Sequence, residues 1–397
     1  MNYILFDDYT WEELRPLTFT RPVCEIRLGI MTLKEKWEKY LNSKCSYLTK
    51  DYLQEKFSTL ILEDNILINS SIIPTAELIS EIETLNQGDV LKKDALICAV
   101  RLNKEQTHKF NYENIDNYSV IESVSDFSKV NFLWDIFRMN GEAIEHDFKI
   151  ITKGRKSQPL SKTNTVLGDN DVFVERGAVV ECATINTKNG PVYIGKNTEI
   201  MERSAIRGPF ALCEGSIVKM GAKIYGPTTV GPYSKVGGEL NNVVLFAYSN
   251  KGHDGFLGNA VVGEWCNFGA DTNNSNLKNN YSEVKMWNYS KNRFIKTGLQ
   301  FCGLVMGDHS KCGINTMFNT GTLIGVGANI FGSGFPRNFI PCFAWGGSHG
   351  FSDTVIEKSF EVAKLVMIRR NIELTETDKK ILRHIFDTTT QYREQFK

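Results

Sequence analysis

The chain has 397 residues, enough for two or three domains, and its 46 basic and 46 acidic residues give a formal net charge of zero. That balance excludes a polyanion binder that depends on bulk positive charge. Hydrophobic residues make up 42% and charged residues 23%, which is typical of a globular protein and excludes a disordered chain.

The sequence also indicates a compartment. It has no run of about 18 apolar residues, which argues against a membrane span, and residues 1–8 lack the basic and apolar regions of a signal peptide. Its nine cysteines include no C-x-x-C pair, which indicates reduced thiols and neither a disulfide framework nor a zinc site. We therefore expect a cytoplasmic protein.

The N-terminal third predicts an α/β domain over residues 1–150. Residues 2–6 are typical of a buried strand, and 59–62, 66–69 and 95–100 of short strands. Two helices are predicted, one from Thr32 to Asn42 with a capping box completed by Glu35, and one from Thr75 to Leu85. Strands that alternate with helices predict an α/β layer.

Charge separates this segment from the rest. Residues 1–150 carry 17 bases and 25 acids, whereas 151–397 carry 29 bases and 21 acids. The positive part would suit an anionic small ligand such as a phosphate ester, and an ordinary solvated surface explains it equally well.

A repeat of six residues dominates the chain from about 160 to 350. Aliphatic residues recur without a gap at Ile194, Ile200, Ile206, Leu212, Val218, Ile224, Val230 and Val236. After a slip of two residues we place the repeat at Val244, see it broken at Asn250, and continue it at Phe256, Val262 and Phe268. It returns at Met306, Cys312, Phe318, Ile324 and Ile330.

A period of six fits neither a helix nor a simple strand. Three six-residue units, each a short strand and a turn, close a triangular coil with the aliphatic residue inside and small residues at the corners. The pattern resembles the left-handed parallel β-helix of the hexapeptide-repeat acyltransferases, with nine or ten coils over 166–345.

The repeat breaks at residues 246–258, where His253 lies between Gly252 and Gly255 with Lys251 beside it. The glycines would let the backbone turn sharply and leave the imidazole accessible. Because a histidine titrates near neutrality, His253 can take a proton from an attacking amine or hydroxyl. A polar loop residue without a catalytic role is the alternative.

A second break, residues 269–281, is rich in asparagine. Asn273, Asn274 and Asn276 carry amides that can bind acetamido, carbonyl or pantetheine groups. An asparagine-rich turn stabilised by its own side chains is the alternative.

The C-terminal tail, residues 353–397, predicts helices over about 353–371 and 375–396. Leu365 and Ile368 in the first, and Ile381 and Ile385 in the second, fit an apolar stripe. These helices would cap the prism or pack on a neighbouring subunit.

From about 236 to 330 the chain resembles the acetyltransferase domain of the bifunctional bacterial enzyme that makes UDP-N-acetylglucosamine. The matching segments are Lys251–Asn259, Asn267–Thr272 and Ser275–Lys278. The resemblance implies that His253 is the general base, that Asn267 and Asn276 contact acyl group or acceptor, and that Lys251, Asn273 and Asn274 lie in the same site. It also implies acetyl-CoA as acyl donor and a homotrimer. Phe256 replaces a tyrosine of the family.

The N-terminus resembles sugar-phosphate nucleotidyltransferases through Arg15–Val23, which keeps the P-L-T core and the second proline but lacks the glycine loop. Since glycine amides cradle phosphates, their loss matters. The resemblance implies phosphate contacts from arginines and the motif threonine, and a Mg²⁺ ion held by the two aspartates after the first strand; these residues are Arg15, Thr18, Arg21, Arg27, Asp7 and Asp8. The aspartates could also be merely the polar end of a strand.

Over nearly all of its length the chain resembles a divergent branch of that bifunctional family, marked by L-F-D-D, P-L-T-F-T-R-P and G-D-H-S-K-C-G-I-N-T. This implies acetyl transfer to an amino-sugar phosphate and a second activity that joins a sugar 1-phosphate to UTP or dTTP. The expected partners are these small molecules, without nucleic acid or membrane. The alternatives are an acyltransferase for another small acceptor with a non-catalytic N-terminal domain, or a ligand-binding scaffold.

Overall fold

A computed structural model describes residues 1–115 and 118–394. It divides the chain into two compact units. The first, called the α/β unit, contains Met1–Leu14, Thr20–Ile26 and Met31–Phe132, and the second, called the solenoid unit, contains Arg15–Phe19, Arg27–Ile30 and the chain from Leu133 onward. Two short N-terminal segments thus belong to the solenoid unit, and a domain boundary at residue 150 stays a prediction.

The strands of the N-terminal part are β1 Asn2–Phe6, β2 Arg27–Leu28, β3 Met31–Thr32, β4 Cys45–Leu48, β5 Asp64–Asn69, β6 Asp89–Lys93, β7 Leu96–Asn103 and β8 Ser119–Glu122. The helices are α1 Thr10–Glu13, α2 Leu33–Leu41, α3 Ala76–Glu83, α4 Lys104–His108, α5 Asp135–Arg138 and α6 Asn140–Thr152, with 3-10 turns at Leu17–Thr20, Val23–Glu25 and Asp51–Leu53.

Both predicted N-terminal helices are confirmed, and each begins at the predicted cap. The Thr32 hydroxyl accepts from the Glu35 amide at 3.1 Å, and the Glu35 carboxylate accepts from the Thr32 amide at 2.7 Å. Thr75 caps α3 through a single bond, because its hydroxyl accepts from the Leu78 amide at 3.2 Å. The strand predicted at 59–62 is wrong, because these residues form no strand and Leu60 and Leu62 are exposed.

The α/β unit contains a sheet in the order β4-β1-β5-β7-β6-β8. Strand β1 runs parallel to both β4 and β5, whereas β7 runs antiparallel to β5 and β6. The chain leaves β1 for β4 on one side and then returns to β5 on the other. In such sheets ligands bind beyond the carboxyl ends of the strands, where the order reverses. Asp7 and Asp8 follow β1 at this edge.

The strands of the solenoid unit follow in chain order: β9 Thr165–Leu167, β10 Val172–Val174, β11 Val179–Val180, β12 Thr184–Asn186, β13 Val192–Ile194, β14 Glu199–Ile200, β15 Ala205–Arg207, β16 Phe210–Leu212, β17 Ile217–Val218, β18 Lys223–Tyr225, β19 Thr228–Val230, β20 Lys235–Val236, β21 Glu239–Leu245, β22 Asn250–Lys251, β23 Phe256–Val262, β24 Asn267–Phe268, β25 Asn273–Asn274, β26 Lys285–Asn288, β27 Arg293–Lys296, β28 Val305–Met306, β29 Lys311–Cys312, β30 Met317–Phe318, β31 Leu323–Ile324, β32 Asn329–Ile330, β33 Phe339–Ile340, β34 Ala344–Gly347 and β35 Gly350–Asp353.

Parallel pairing of successive coils confirms the predicted β-helix. One face stacks β11, β14, β17, β20, β22, β24, β29, β32 and β34 in that order. The eight consecutive aliphatic residues predicted to point inward all lie in the core, each at most 1% exposed. Three-sided coils therefore stack one aliphatic layer on the next, as the period of six requires.

The predicted phase fails between residues 244 and 256. Leu245 and Leu257 belong to the central core, where we expected Val244 and Phe256. The strand register pairs Val236 with Lys251, so a lysine takes the inward position at the break. Because side chains alternate along a strand, an error of one residue moves every side chain to the opposite face.

The tail forms α7 Ile356–Ile368, α8 Glu376–Thr388 and α9 Thr390–Glu394. Both predicted helices are confirmed, though residues 395 and 396 of the second lie outside the described residues. Ile381 and Ile385 are buried, whereas Leu365 and Ile368 are 65% and 58% exposed. No helix in the described ranges is long and apolar enough to cross a membrane.

Candidate functional site

The loop after β22 is held open by a lysine inside the prism. The Lys251 ammonium donates to the carbonyls of His253 at 2.5 Å and Asp254 at 2.9 Å. Gly255 closes the turn with φ +105°, and a Cβ there would collide with the Thr272 carbonyl oxygen, so only glycine fits. The backbone of His253 is thereby fixed while its side chain stays exposed.

His253 lines a cleft of about 700 Å³ on the outer surface of the solenoid. The floor is a ladder of outward side chains, because the strand register stacks Lys235, Asn250, Asn267 and Lys311 in consecutive coils. Neighbouring strands lie about 4.8 Å apart, so each rung of this ladder is within reach of the next. Of the predicted acyl-site residues, the structure brings His253 and Asn267 together here.

Cations dominate the walls of this cleft. Five line it, Lys219, Lys235, Lys311, Arg369 and Arg370, and none of the described lining residues carries a carboxylate. Burial, together with the positive charges of Arg370 and Lys219, lowers the pKa of Lys235. Burial and neighbouring Arg369 likewise lower the pKa of Arg370. Cations that repel one another in this way attract an anionic ligand.

The remaining predicted acyl-site residues hold the fold together. Lys251 is 1% exposed and bonded to loop carbonyls, as described above. Asn274 is 3% exposed, and its side chain bonds the amide and carbonyl of Gly258 at 2.8 and 3.0 Å. Asn273 accepts from the Phe256 amide at 2.7 Å, and Asn276 donates to the Asn259 side chain at 2.8 Å. Asn273 and Asn274 thus bond the backbone of β23, and none of the four predicted residues lines the cleft.

One edge of the cleft is an aromatic stack at a corner of the prism, here called the corner stack. Tyr233, Tyr248, Trp265 and His309 lie one above another, with ring centroids 5.4, 4.2 and 6.3 Å apart. All four have positive φ, between 55° and 62°. Tyr248 and Trp265 wall the cleft, so the stack gives it a rigid side.

The carboxylate oxygens of the two aspartates predicted to hold Mg²⁺ accept hydrogen bonds from protein donors. Asp7 accepts from Thr49 at 2.6 Å, Ser70 at 2.7 Å and the Val23 amide at 3.0 Å. Burial raises its pKa to about 6, against the lowering effect of these hydrogen bonds.

Asp8 accepts from the Thr10 amide at 2.8 Å and Asn69 at 2.9 Å, and it pairs with Lys129 at 3.2 Å. A Mg²⁺ ion needs carboxylate oxygens free to face it. As arranged, Asp7 and Asp8 do not fit the ion, and no group of three His, Cys, Asp or Glu suited to a metal occurs within the described ranges.

The four predicted phosphate-binding residues are divided between the two units. Arg15, Thr18 and Arg27 belong to the solenoid unit and Arg21 to the α/β unit. Thr18 is fully buried, and Arg27 donates to the carbonyls of Phe246 at 3.1 Å and of Ile30. The Arg15 guanidinium lies 5.7 Å from the ring centres of Phe19 and Tyr289. Arg15 is the least buried of them and is the better candidate for a ligand contact.

Sequence reasoning missed two lysines at the edge of the α/β sheet. Lys50 follows β4, lies 5.0 Å over the Trp11 ring and pairs with Glu12 at 2.6 Å. Lys129 lies 4.2 Å over the Tyr9 ring and donates to Thr10 at 2.6 Å. Both contact the segment that follows β1.

Sequence reasoning also missed the cations of the cleft. A usable signal exists for two of them: Lys235 and Lys311 each precede an inward residue, Val236 and Cys312, and therefore point outward on the same face. No such signal marks Arg369 and Arg370, because their position depends on how the tail packs.

The chain is similar to known proteins over its N-terminal part and over most of its length. The family model described as sugar nucleotidyl transferase matches residues 3–156. A protein of Sulfurisphaera tokodaii (strain DSM 16993 / JCM 10545 / NBRC 100140 / 7), named bifunctional sugar-1-phosphate nucleotidylyltransferase/acetyltransferase, is 28% identical over 376 residues, covering 81% of this chain and 93% of that protein. These matches confirm the resemblance indicated by the sequence motifs.

Two solved structures share a distant likeness. The polySia specific acetyltransferase NeuO is 15% identical, with a TM-score of 0.31, covering 52% of this chain and all of that one. The UDP-N-acetylglucosamine acyltransferase from Campylobacter jejuni is 13% identical, with a TM-score of 0.16, covering 57% of this chain and 95% of that one. The fold described above stands on the chain's own strand pairing.

Proposed function

We propose that the chain is a bifunctional enzyme of nucleotide-sugar synthesis, of the family that joins a sugar-1-phosphate nucleotidyltransferase to an acetyltransferase. The solenoid unit transfers an acetyl group from acetyl-CoA to the amine of an amino-sugar phosphate. The α/β unit joins a sugar 1-phosphate to UTP or dTTP. The observation that carries the first activity is the exposed His253 in a cleft walled by cations, with Asn267 on its floor.

In the acetyl transfer, the acceptor amine attacks the thioester carbonyl and His253 takes the proton that the amine loses. The C–S bond breaks, and the products are the N-acetylated sugar phosphate and CoA. Lys251 supports this step indirectly, because its bonds to the carbonyls of His253 and Asp254 fix the loop without occupying the imidazole. The Asn267 amide, exposed on the floor, is placed to bind an acyl or acetamido carbonyl.

Both substrates of this reaction carry phosphates, and the cleft is built for anions. Its lysines and arginines come from three coils and the end of α7, so a ligand phosphate would relieve their mutual repulsion. Residues 151–397 carry more bases than acids, and five of those bases line this cleft. Acetyl-CoA is therefore a substrate of the solenoid unit, and we expect this chemistry in the cytoplasm, in a homotrimer.

His253→Ala tests the acetyl transfer. Acetyl transfer to glucosamine 1-phosphate should fall about 10²–10⁴-fold, the usual effect of losing a positioned general base, because the described residues that line the cleft include no second histidine and no carboxylate. The melting temperature should hardly change, since the imidazole is exposed. His349→Ala, at an exposed histidine that does not line the cleft, is the control. Equal activity in the two variants would exclude His253 as the base.

For the nucleotidyl transfer we propose that Lys50 and Lys129 supply positive charge that the absent glycine loop does not provide. Arg15 and Arg21 remain proposed phosphate contacts. Lys50 is the more exposed of the two lysines, at 36% of its side chain against 8% for Lys129. The proposed step uses neither Asp7 nor Asp8 as a metal ligand.

Lys50→Met tests this site by titration with UTP and dTTP in buffer that contains Mg²⁺. Binding of the preferred nucleotide should weaken about tenfold, the effect of removing one charge-assisted hydrogen bond. Lys44→Met, at a lysine 91% exposed in the same unit, should leave binding unchanged. If the unmodified protein binds neither nucleotide, the α/β unit is non-catalytic and the alternative of an acyltransferase alone is correct.

A further inference from the structure

A second cavity lies at the C-terminal end of the solenoid and has no role in the function proposed so far. It encloses about 360 Å³ among the last coils, the hairpin of β34 and β35, and helices α7 and α8. Most of its wall is apolar, formed by Ala328, Phe343, Val355, Val362, Ala363 and Leu382. An apolar enclosure of this size with a few polar groups is typical of a site for a small organic group.

The cavity adjoins the cationic cleft through Lys311, which lines both. The strand register carries the outward ladder onward from Lys311 to Asn329 and Trp345. At about 4.8 Å for each coil, Trp345 lies about 14 Å along the solenoid from Asn267. A ligand that spans both spaces therefore has an extended, anionic part and an apolar end.

One polar atom in the cavity wall lacks a partner. The Thr354 hydroxyl is buried and makes no hydrogen bond to any described residue, although its backbone amide donates to the Phe343 carbonyl at 3.0 Å. Buried polar groups are nearly always bonded, so such an atom indicates an absent ligand or water. A hydroxyl can donate to a ring nitrogen and accept from an exocyclic amine.

We propose that this cavity receives the adenine ring of acyl-CoA. The Thr354 hydroxyl bonds a polar edge of the ring, Trp345 covers its face at the mouth, and Lys311 contacts the phosphates between adenosine and pantetheine. A plain acyl chain would leave the Thr354 hydroxyl unbonded and would not account for Lys311. This assignment rests on the proposed acetyl transfer, because it requires that acyl-CoA occupies the cleft.

The test separates the two halves of CoA. Calorimetry with acetyl-CoA, adenosine 3′,5′-bisphosphate and 4′-phosphopantetheine compares the unmodified protein with Trp345→Ala and Thr354→Val. Trp345 is 47% exposed, so its removal should not unfold the chain. Trp345→Ala should weaken acetyl-CoA and the bisphosphate by about tenfold, the loss of one stacked aromatic ring. Thr354→Val should weaken both by about threefold or more. Neither variant should affect phosphopantetheine.

Phe335→Ala is the matched control, since Phe335 is 52% exposed in the same unit and does not line the cavity. Equal losses for both halves of CoA, or no loss for the bisphosphate, would overturn the adenine site while leaving acetyl transfer intact. Failure of the unmodified protein to bind acetyl-CoA would instead overturn the proposed function itself.

Discussion

Lys251 occupies a position that the repeat reserves for an aliphatic side chain. It is paired with the inward residue Val236 of the preceding coil, and it is only 1% exposed although it carries a charge. It is tolerated because its ammonium reaches carbonyls of Gly237, His253 and Asp254. Burial lowers its pKa to about 8, against the raising effect of Asp254. A structural lysine thus marks the proposed catalytic loop by its place in the interior.

The ionisation of Asp7 makes the free energy of unfolding depend on pH. Burial raises its pKa from 3.8 to about 6, so the folded chain holds this proton over a range where the unfolded chain has lost it. The stability that Asp7 contributes is complete below about pH 4 and is lost as the pH rises through 6. Because each pKa unit is equivalent to about 1.4 kcal/mol, a rise of this size corresponds to about 3 kcal/mol.

Asp7→Asn should remove this dependence. Between pH 4.5 and 7.5 the free energy of unfolding of the unmodified protein should fall by about 2–3 kcal/mol relative to the variant, measured from urea unfolding curves. Asp126→Asn is the control, because its exposed carboxylate pairs with Lys93, which lowers its pKa and reverses the sign. Parallel curves for the unmodified protein and Asp7→Asn would show that Asp7 ionises normally.

At the scale of the element, the corner stack combines burial with an unfavourable backbone. Trp265 is 7% exposed and stacks on Tyr248 at 4.2 Å, but its φ is +62°. A side chain in this left-handed region costs about 1–2 kcal/mol. The same corner carries Gly215 and Gly327, where a Cβ would meet the rings of Tyr233 and Phe343 at 2.5 and 2.7 Å. At these two positions glycine makes room for the ring of the next coil.

This arrangement predicts that glycine destabilises the protein less than alanine does at position 265. Trp265→Ala should destabilise the chain by about 3–5 kcal/mol through the lost packing. Trp265→Gly should cost about 1 kcal/mol less, since glycine adopts φ +62° without strain, although in an ordinary strand glycine is the worse residue. Thermal unfolding of both variants decides the matter, and a lower melting temperature for Trp265→Gly would contradict it.

Sequence predicts those elements whose signal is local. The caps at Thr32 and Thr75 fixed two helices, and the six-residue period fixed the solenoid, because each pattern needs only neighbouring residues. The phase was lost at Lys251 because an inward lysine carries no hydrophobic signal. Asn274 was predicted to bind a ligand because the sequence does not show that its side chain bonds Gly258 of another coil. Arg369 and Arg370 could not be placed, since tertiary packing alone brings the end of α7 over the cleft.

At the scale of the whole molecule, the solenoid unit does not begin where its repeat begins. Ile144 and Phe148 of α6 form one apolar cluster with Phe173, Tyr193 and Cys213 of the first coils. Asn140 and Asp147 bond the amides of Gly29 and Ile30 at 2.9 and 2.8 Å. The helix and these N-terminal residues therefore complete the unit's interior.

This predicts a graded loss of stability on truncation. Fragment 133–397 lacks the segments 15–19 and 27–30, and fragment 151–397 lacks α5 and α6 as well, which leaves the apolar surface of Phe173 and Tyr193 exposed. Melting temperatures should fall in the order full chain, 133–397, 151–397, and light scattering should show aggregation of the shortest. Equal melting of the two fragments would mean that α6 contributes nothing to the solenoid.

The N-terminal segments Arg15–Phe19 and Arg27–Ile30 impose an order on folding during synthesis. Arg27 leaves the ribosome 219 residues before Phe246, whose carbonyl it must bind. At about 5–20 residues per second, the arginine waits roughly 10–40 s for its partner. The α/β unit, whose last residue is Phe132, can fold during that interval, but the segments that interrupt it must stay undocked until the middle coils have emerged. Vectorial translation thus makes Arg15–Phe19 and Arg27–Ile30 among the last segments to reach their final contacts.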